Sequence, residues 1–171
     1  NMSSDFCVCG LQAHSNAEKL GELGSTYKCP TLLTKTDNSE EAFQKLIDQS
    51  KPDIVVNGIA GAAGLLPSKV ILENGIDLAL ANKETIVMAG PLIKELARNK
   101  GAKLLPVDSE HSAIFNLTER IGKENISKIV ITASGGPFRT YTKEQLEGVT
   151  LEQALKHPTW NMGKKITIDS S

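Results

Sequence analysis

Asp108-Ser109-Glu110-His111 sets two carboxylates two residues apart, directly after the apolar run Leu104-Leu105-Pro106-Val107. Hard oxygen ligands at the end of a strand suit magnesium or manganese, whereas zinc prefers more histidine or cysteine. The same residues also fit a plain helix N-terminus, with Asp108 or Ser109 as the cap. Asn82-Lys83-Glu84 closes a second apolar run, Leu78-Ala79-Leu80-Ala81. A lysine there can polarise a substrate oxygen or hold a phosphate as a compact point charge. The alternative is a solvated strand exit whose Glu84 faces a helix N-terminus. Ser134-Gly135-Gly136-Pro137 offers one hydroxyl and the amides of two glycines, either a cradle for an anion or an ordinary turn. Residues 157–163 carry the only tryptophan, Trp160, in a loop with a proline and a glycine. That loop reads as a water-excluding lid or as a plug for the core.

These groups need a scaffold, and the chain alternates short β-branched runs with amphipathic segments. Strands are predicted over residues 6–11, 53–57, 78–81, 103–107 and 128–133, the second of them buried. Helices are predicted over 16–23, 39–49, from the glycine-rich turn through 72, over 84–99 with a bend at Pro91, and over 109–121. Ser39 is the expected cap of the second helix, with Glu40 and Glu41 in its first turn. The turn Asn57-Gly58-Ile59-Ala60-Gly61-Ala62-Ala63-Gly64 departs from G-x-G-x-x-G and reads as tight helix–strand packing or as a cofactor approach. After Thr140 come two short helical segments, a loop and a strand-like stretch over 165–168. Strand, helix, strand, repeated with short connections, predicts an α/β fold: a Rossmann-like parallel sheet with its ligand edge at the strand carboxyl ends. A domain change is placed near Val107–Asp108, giving segments 1–107 and 108–171, the second of α+β texture.

The bulk properties narrow the class. At 171 residues, 40% hydrophobic and 23% charged, the chain can bury a core. A formal net charge of −1, with lysine and arginine dispersed, points to neither nucleic acid nor an acidic membrane as partner. No apolar run approaches the roughly 20 residues of a membrane span, and residues 1–10 lack the pattern of a secretion signal. Three cysteines, Cys7, Cys9 and Cys29, favour a reducing cytoplasm and read as small buried hydrophobes. No nucleophile elbow, H-E-x-x-H or paired C-x-x-C occurs, so hydrolase and zinc chemistry have little support.

In order and spacing, Gly61-Ala62-Ala63-Gly64-Leu65-Leu66-Pro67, Ala81-Asn82-Lys83-Glu84, Leu105 through His111, Ser134-Gly135-Gly136-Pro137-Phe138, His157-Pro158, Trp160, Met162-Gly163 and Asp169-Ser170 resemble the 1-deoxy-D-xylulose-5-phosphate reductoisomerase family. The resemblance runs along nearly the whole chain. It implies an enzyme using NADPH and Mn²⁺ or Mg²⁺ to rearrange and reduce a phosphosugar on the way to isoprenoids, working as a cytoplasmic homodimer. Asp108 and Glu110 match two of three metal carboxylates. Lys83, Ser109, Glu110, His157 and Trp160 match the substrate side, and Ser134 and Ser170 match its phosphate end. Lys83, Asp108, Glu110 and His157 are the implied catalytic set. Asn82, Glu84 and Gly163 match NADPH contacts, as do His14, Ser15 and Asn16 at its 2′-phosphate, with His14 standing where the family carries glycine. By the same resemblance a first βα unit would precede Asn1 and the third metal carboxylate would follow Ser171, so the chain alone is expected to be inactive. An ordinary amino-acid-type dehydrogenase and a non-catalytic interaction module are the competing readings; the paired carboxylates speak against the first.

Overall fold

The computed structural model describes residues 5–132 and 135–171. They fall into two units, Asn1–Asn125 and Ile126–Ser171. In the first, strand and helix alternate strictly: β1 (Leu11–Ala13), α1 (Ala17–Tyr27), β2 (Thr31–Leu33), α2 (Glu40–Ser50) and β3 (Ile54–Asn57). A 3₁₀ turn (Gly61–Gly64) then runs into α3 (Leu65–Glu73), followed by β4 (Asp77–Leu80), α4 (Lys83–Lys100), β5 (Leu104–Pro106) and α5 (Ser109–Ile121). Every strand pair is parallel, so every carboxyl end within a sheet points the same way.

The strands form two short parallel sheets, β1–β2 and β3–β4–β5. β4 is central, pairing Leu78 with Val55 on one side and with Leu104 on the other. Its side chains and those of α3 and α4 make the core: Ile71, Leu72, Leu78, Leu80, Ile93 and Ala97, with Ile47 of α2 packed against them. Leu72 and Leu78 are wholly buried, and each contributes about 1.5–3 kcal/mol relative to an exposed side chain. β3 is an edge strand rather than a buried one, with Ile54 and Val56 exposed, because only β4 pairs with it among the described residues. The first strand begins at Leu11, not at residue 6; Phe6 and Val8 are exposed and outside any ladder. Cys7 is exposed and Cys9 and Cys29 are half-buried, so the expectation of buried cysteines is corrected too.

Local chemistry sets the helix ends. Ser39 caps α2, its hydroxyl accepting from the Ala42 amide at 3.2 Å. α4 bends where Pro91 removes an amide donor and crowds the preceding turn, and Ala89 there leaves helical geometry at φ −141°.

The second unit is made of short pieces: α6 (Lys143–Leu146), α7 (Leu151–Ala154) and α8 (Lys164–Asp169). Thr142 with Gln145, and Thr150 with Gln153, form reciprocal capping boxes that start α6 and α7. Two strand expectations fail here. Residues 128–132 pair with no strand among the described residues, and Ile129, Val130 and Ile131 are exposed. The β-branched stretch at 165–168 lies in α8, where the Thr167 hydroxyl donates to the Gly163 carbonyl at 3.0 Å. With no strand beside it among the described residues to complete a ladder, the segment takes hydrogen bonds from its own backbone instead.

Candidate functional site

The carboxyl ends of β4 and β5 lie side by side through the ladder that pairs Leu80 with Pro106. Beyond β4 comes Asn82, only 2% exposed, which caps α4 by accepting from the Thr85 amide at 2.8 Å and the Thr85 hydroxyl at 2.6 Å. Its amide nitrogen donates to the carbonyls of Ile59 and Gly61 and, at 3.3 Å, to Glu84. One side chain thus ties the glycine-rich turn to the start of α4. Asn57 does the equivalent work at the end of β3, donating to the Gly64 carbonyl and the Ser68 hydroxyl, both at 2.8 Å. Gly64 is required by contact: a Cβ there would sit 2.7 Å from Asn82 Cγ. The turn is therefore a tightly packed junction, and Gly58 and Gly61 face open space beside it.

Beyond β5, Asp108 caps α5 with Oδ1, which accepts from the His111 amide at 3.5 Å. Its other oxygen lies 3.9 Å from Lys83 Nζ. The cap thus uses one oxygen of the carboxylate, and the lysine faces the other. The Ser109 hydroxyl donates to Glu110 Oε2 at 2.7 Å. That bond, then the backbone amide of Glu110, hold this carboxyl below its usual range, with Lys83 adding a smaller pull. Lys83, Asp108, Ser109 and Glu110 are therefore brought together by two adjacent strand ends. For a divalent cation this donor set fits in kind, being hard carboxylate oxygen. In number it supplies two carboxylates, and no group of three or more His, Cys, Asp or Glu gathers among the described residues.

The end of β1 holds His14, Ser15 and Asn16. Asn16 caps α1, accepting from the Lys19 amide at 3.0 Å. His14 Nδ1 lies 3.3 Å from the Thr34 hydroxyl, which also accepts from Gln12 at 2.9 Å. Thr34 went unnoticed in the sequence because nothing local marks it: its role comes from the parallel pairing of β1 with β2, which sets Ala13 opposite Leu33. Asn57 had a signal, a polar residue closing an apolar strand.

In the second unit, Ser134 lies outside the described residues. Gly135 and Gly136 both adopt positive φ, at 81° and 55°. A Cβ on Gly136 would collide with the Ser170 carbonyl, so the glycine turn lies against the end of α8. The Ser170 hydroxyl donates to the Thr167 carbonyl at 2.8 Å. His157 Nδ1 accepts from the amides of Thr159 and Trp160, at 3.1 and 2.9 Å. Trp160 is 60% exposed, which removes the core-plug reading. Gly163 precedes α8 as its cap.

A parallel α/β unit that gathers a capping asparagine, a lysine and two carboxylates at neighbouring strand ends is a Rossmann-like protein with a polar ligand edge. Two family profiles match, "1-deoxy-D-xylulose 5-phosphate reductoisomerase" over residues 11–90 and the "1-deoxy-D-xylulose 5-phosphate reductoisomerase C-terminal domain" over 104–171. The enzyme of that name from Treponema denticola is 51% identical over 97% of this chain and 46% of its own length. That of Pelodictyon phaeoclathratiforme is 56% identical over 97% and 48%. The Zymomonas mobilis enzyme, solved with NADPH, superposes with a TM-score of 0.83 at 32% identity, covering 98% of this chain and 48% of that one. A reductoisomerase solved with NADPH, fosmidomycin and magnesium gives a TM-score of 0.78 at 31% identity, over 98% and 48%. This chain belongs to the 1-deoxy-D-xylulose 5-phosphate reductoisomerase family, and it spans about half the length of the curated relatives it matches.

Proposed function

We propose that the chain is part of an enzyme converting 1-deoxy-D-xylulose 5-phosphate to 2-C-methyl-D-erythritol 4-phosphate with NADPH and Mg²⁺ or Mn²⁺, supplying isoprenoid precursors. The observation that carries this is the junction of β4 and β5, where Lys83 stands 3.9 Å from Asp108 and Ser109 orients Glu110. When bound, the divalent cation supplies electrophilic polarisation of the substrate and NADPH supplies hydride. The protein's own part is positioning. Asp108 and Glu110 present ionised oxygens to the cation, and the Ser109 hydrogen bond keeps Glu110 ionised. Lys83 balances their charge and is placed to hold a substrate oxygen. Asn82 fixes the cofactor-side turn, with Glu84 beside it as an NADPH contact, and Gly163 takes its NADPH role from the family resemblance alone. His14, Ser15 and Asn16 receive its 2′-phosphate end. On the phosphosugar, Ser134 and Ser170 serve the phosphate, while His157 and Trp160 cover the carbon chain. Residues 1–107 then act as the cofactor domain and 108–171 as the start of the catalytic one.

Two carboxylates leave a cation largely hydrated, so the 171-residue chain alone is expected to bind it weakly and not to turn over. Free thiols at Cys7, Cys9 and Cys29 suit a reducing compartment such as the cytoplasm. No described helix is long and apolar enough to cross a membrane. Assembly as a homodimer is part of the proposal and is checked by light scattering. Manganese titration followed by electron paramagnetic resonance tests the metal site. Binding should weaken in Asp108→Asn and in Glu110→Gln; equal binding by both variants and the parent chain would remove the cation from this junction.

A further inference from the structure

The sequence 157–160 is His-Pro-Thr-Trp, and its geometry gives the histidine a second task. His157 Nδ1 accepts two backbone amides at once, from Thr159 at 3.1 Å and Trp160 at 2.9 Å. Pro158, between acceptor and donors, has no amide of its own and a φ fixed near −65°. The two following amides therefore turn back onto the ring. A nitrogen that accepts a hydrogen bond carries no proton, so the proton of the neutral ring is on Nε2. We infer that His157 is a positioning residue for the Trp160 loop: Nδ1 clamps the backbone beneath the indole while Nε2–H is held in a set direction as a donor. The inference deepens the substrate-loop reading above and rests on it for its functional consequence. One ring then links two events, because tilting the imidazole to follow a ligand moves the backbone that carries Trp160. The indole itself, at 60% exposure, has little packing of its own to fix it.

Two substitutions separate the two nitrogens. In His157→Asn the side-chain oxygen takes the place of Nδ1, preserving the acceptor and losing the Nε2 donor. In His157→Gln the amide nitrogen takes the place of Nε2, preserving that donor and losing the acceptor. The first test needs no variant. In the ¹⁵N-labelled chain, long-range ¹H–¹⁵N correlation should show a lone-pair Nδ1 and a protonated Nε2 at His157, assigned by the signal that both variants lose. A protonated Nδ1, or averaging between the two forms, would overturn the inference. Second, amide exchange at Thr159 and Trp160 should stay slow in His157→Asn and rise about ten-fold in His157→Gln, the size expected for losing one net hydrogen bond. Fluorescence anisotropy of Trp160, the chain's one tryptophan, should fall in the Gln variant alone. Equal behaviour of the two variants would sink the clamp. These readouts use no substrate, so failure of the clamp leaves the proposed reaction standing, and failure of the reaction leaves the clamp measurable.

Discussion

Replacing Asn82 with alanine should destabilise the first unit far more than loss of an ordinary helix cap. A surface cap is worth about 1 kcal/mol. Here the side chain is 2% exposed and serves both sides. Its oxygen accepts from the Thr85 amide and hydroxyl, and its nitrogen donates to the carbonyls of Ile59 and Gly61. Thr85 is wholly buried, so its hydroxyl would be left without that acceptor, costing a further ~1–3 kcal/mol. The total is about 3 kcal/mol, or roughly 6–12 °C in Tm for a chain of this size. Asn82→Asp is the sharper variant. Aspartate is a good cap on an exposed helix, yet here its second oxygen would face two carbonyls and the Glu84 carboxylate. It should therefore unfold at least as early as Asn82→Ala, whereas Asn82→Ser, which keeps a cap, should lose less. The assay is thermal unfolding followed by circular dichroism. An aspartate variant as stable as the parent would show that the donor half of Asn82 contributes nothing, and would refute the two-sided role.

Three further outcomes follow from the same geometry. Gly64→Ala should cost about 2 kcal/mol by overpacking, since its backbone φ of −76° is ordinary and the added Cβ meets both Asn82 and the Ile59 carbonyl; paired in denaturant titrations with Asn82→Ala, which removes the Asn82 half of that clash, it should cost less than the sum of the two. Ser39→Ala should lose about 1 kcal/mol of capping and should flatten the acid limb of stability. The Ser39 hydroxyl and amide hold the Asp37 carboxyl below its usual value, so that contribution is present above about pH 4 and lost as pH falls through the lowered value; a parallel acid limb in parent and variant would contradict it. In the full-length enzyme, Ser170→Ala should raise KM about ten-fold, the arithmetic of one hydrogen bond to a charged phosphate; an unchanged KM with a collapsed kcat would move Ser170 from the phosphate to the chemistry.

The parts of this fold legible in the sequence are those whose causes are local. Ser39 before two glutamates marks its helix because cap and dipole act within one turn, and Pro91 marks a bend for the same reason. The positions of β3, β4 and β5 were legible because each apolar run sits between helical segments of suitable length. The stretches at 128–132 and 165–168 misled because β-branched residues report a preference, whereas a strand exists only if a neighbour completes its ladder. Whether a neighbour is there depends on the rest of the fold. The same division holds in the site. Asp108, Glu110 and Lys83 stood out as charges at strand ends, and the structure adds that Asp108 divides its oxygens between a helix and a lysine. Thr34 was invisible because its partners are about twenty residues away in sequence and adjacent only through parallel pairing.

The most direct test is turnover by the full-length protein that contains this chain. NADPH absorbance is followed with saturating 1-deoxy-D-xylulose 5-phosphate and Mn²⁺, for the parent and for Glu110→Gln. The account predicts steady substrate-dependent oxidation by the parent, and none above background by a variant whose circular dichroism and Tm match it. A parent that leaves NADPH unoxidised, or a Glu110→Gln variant that turns over at near-parental rate, would contradict it.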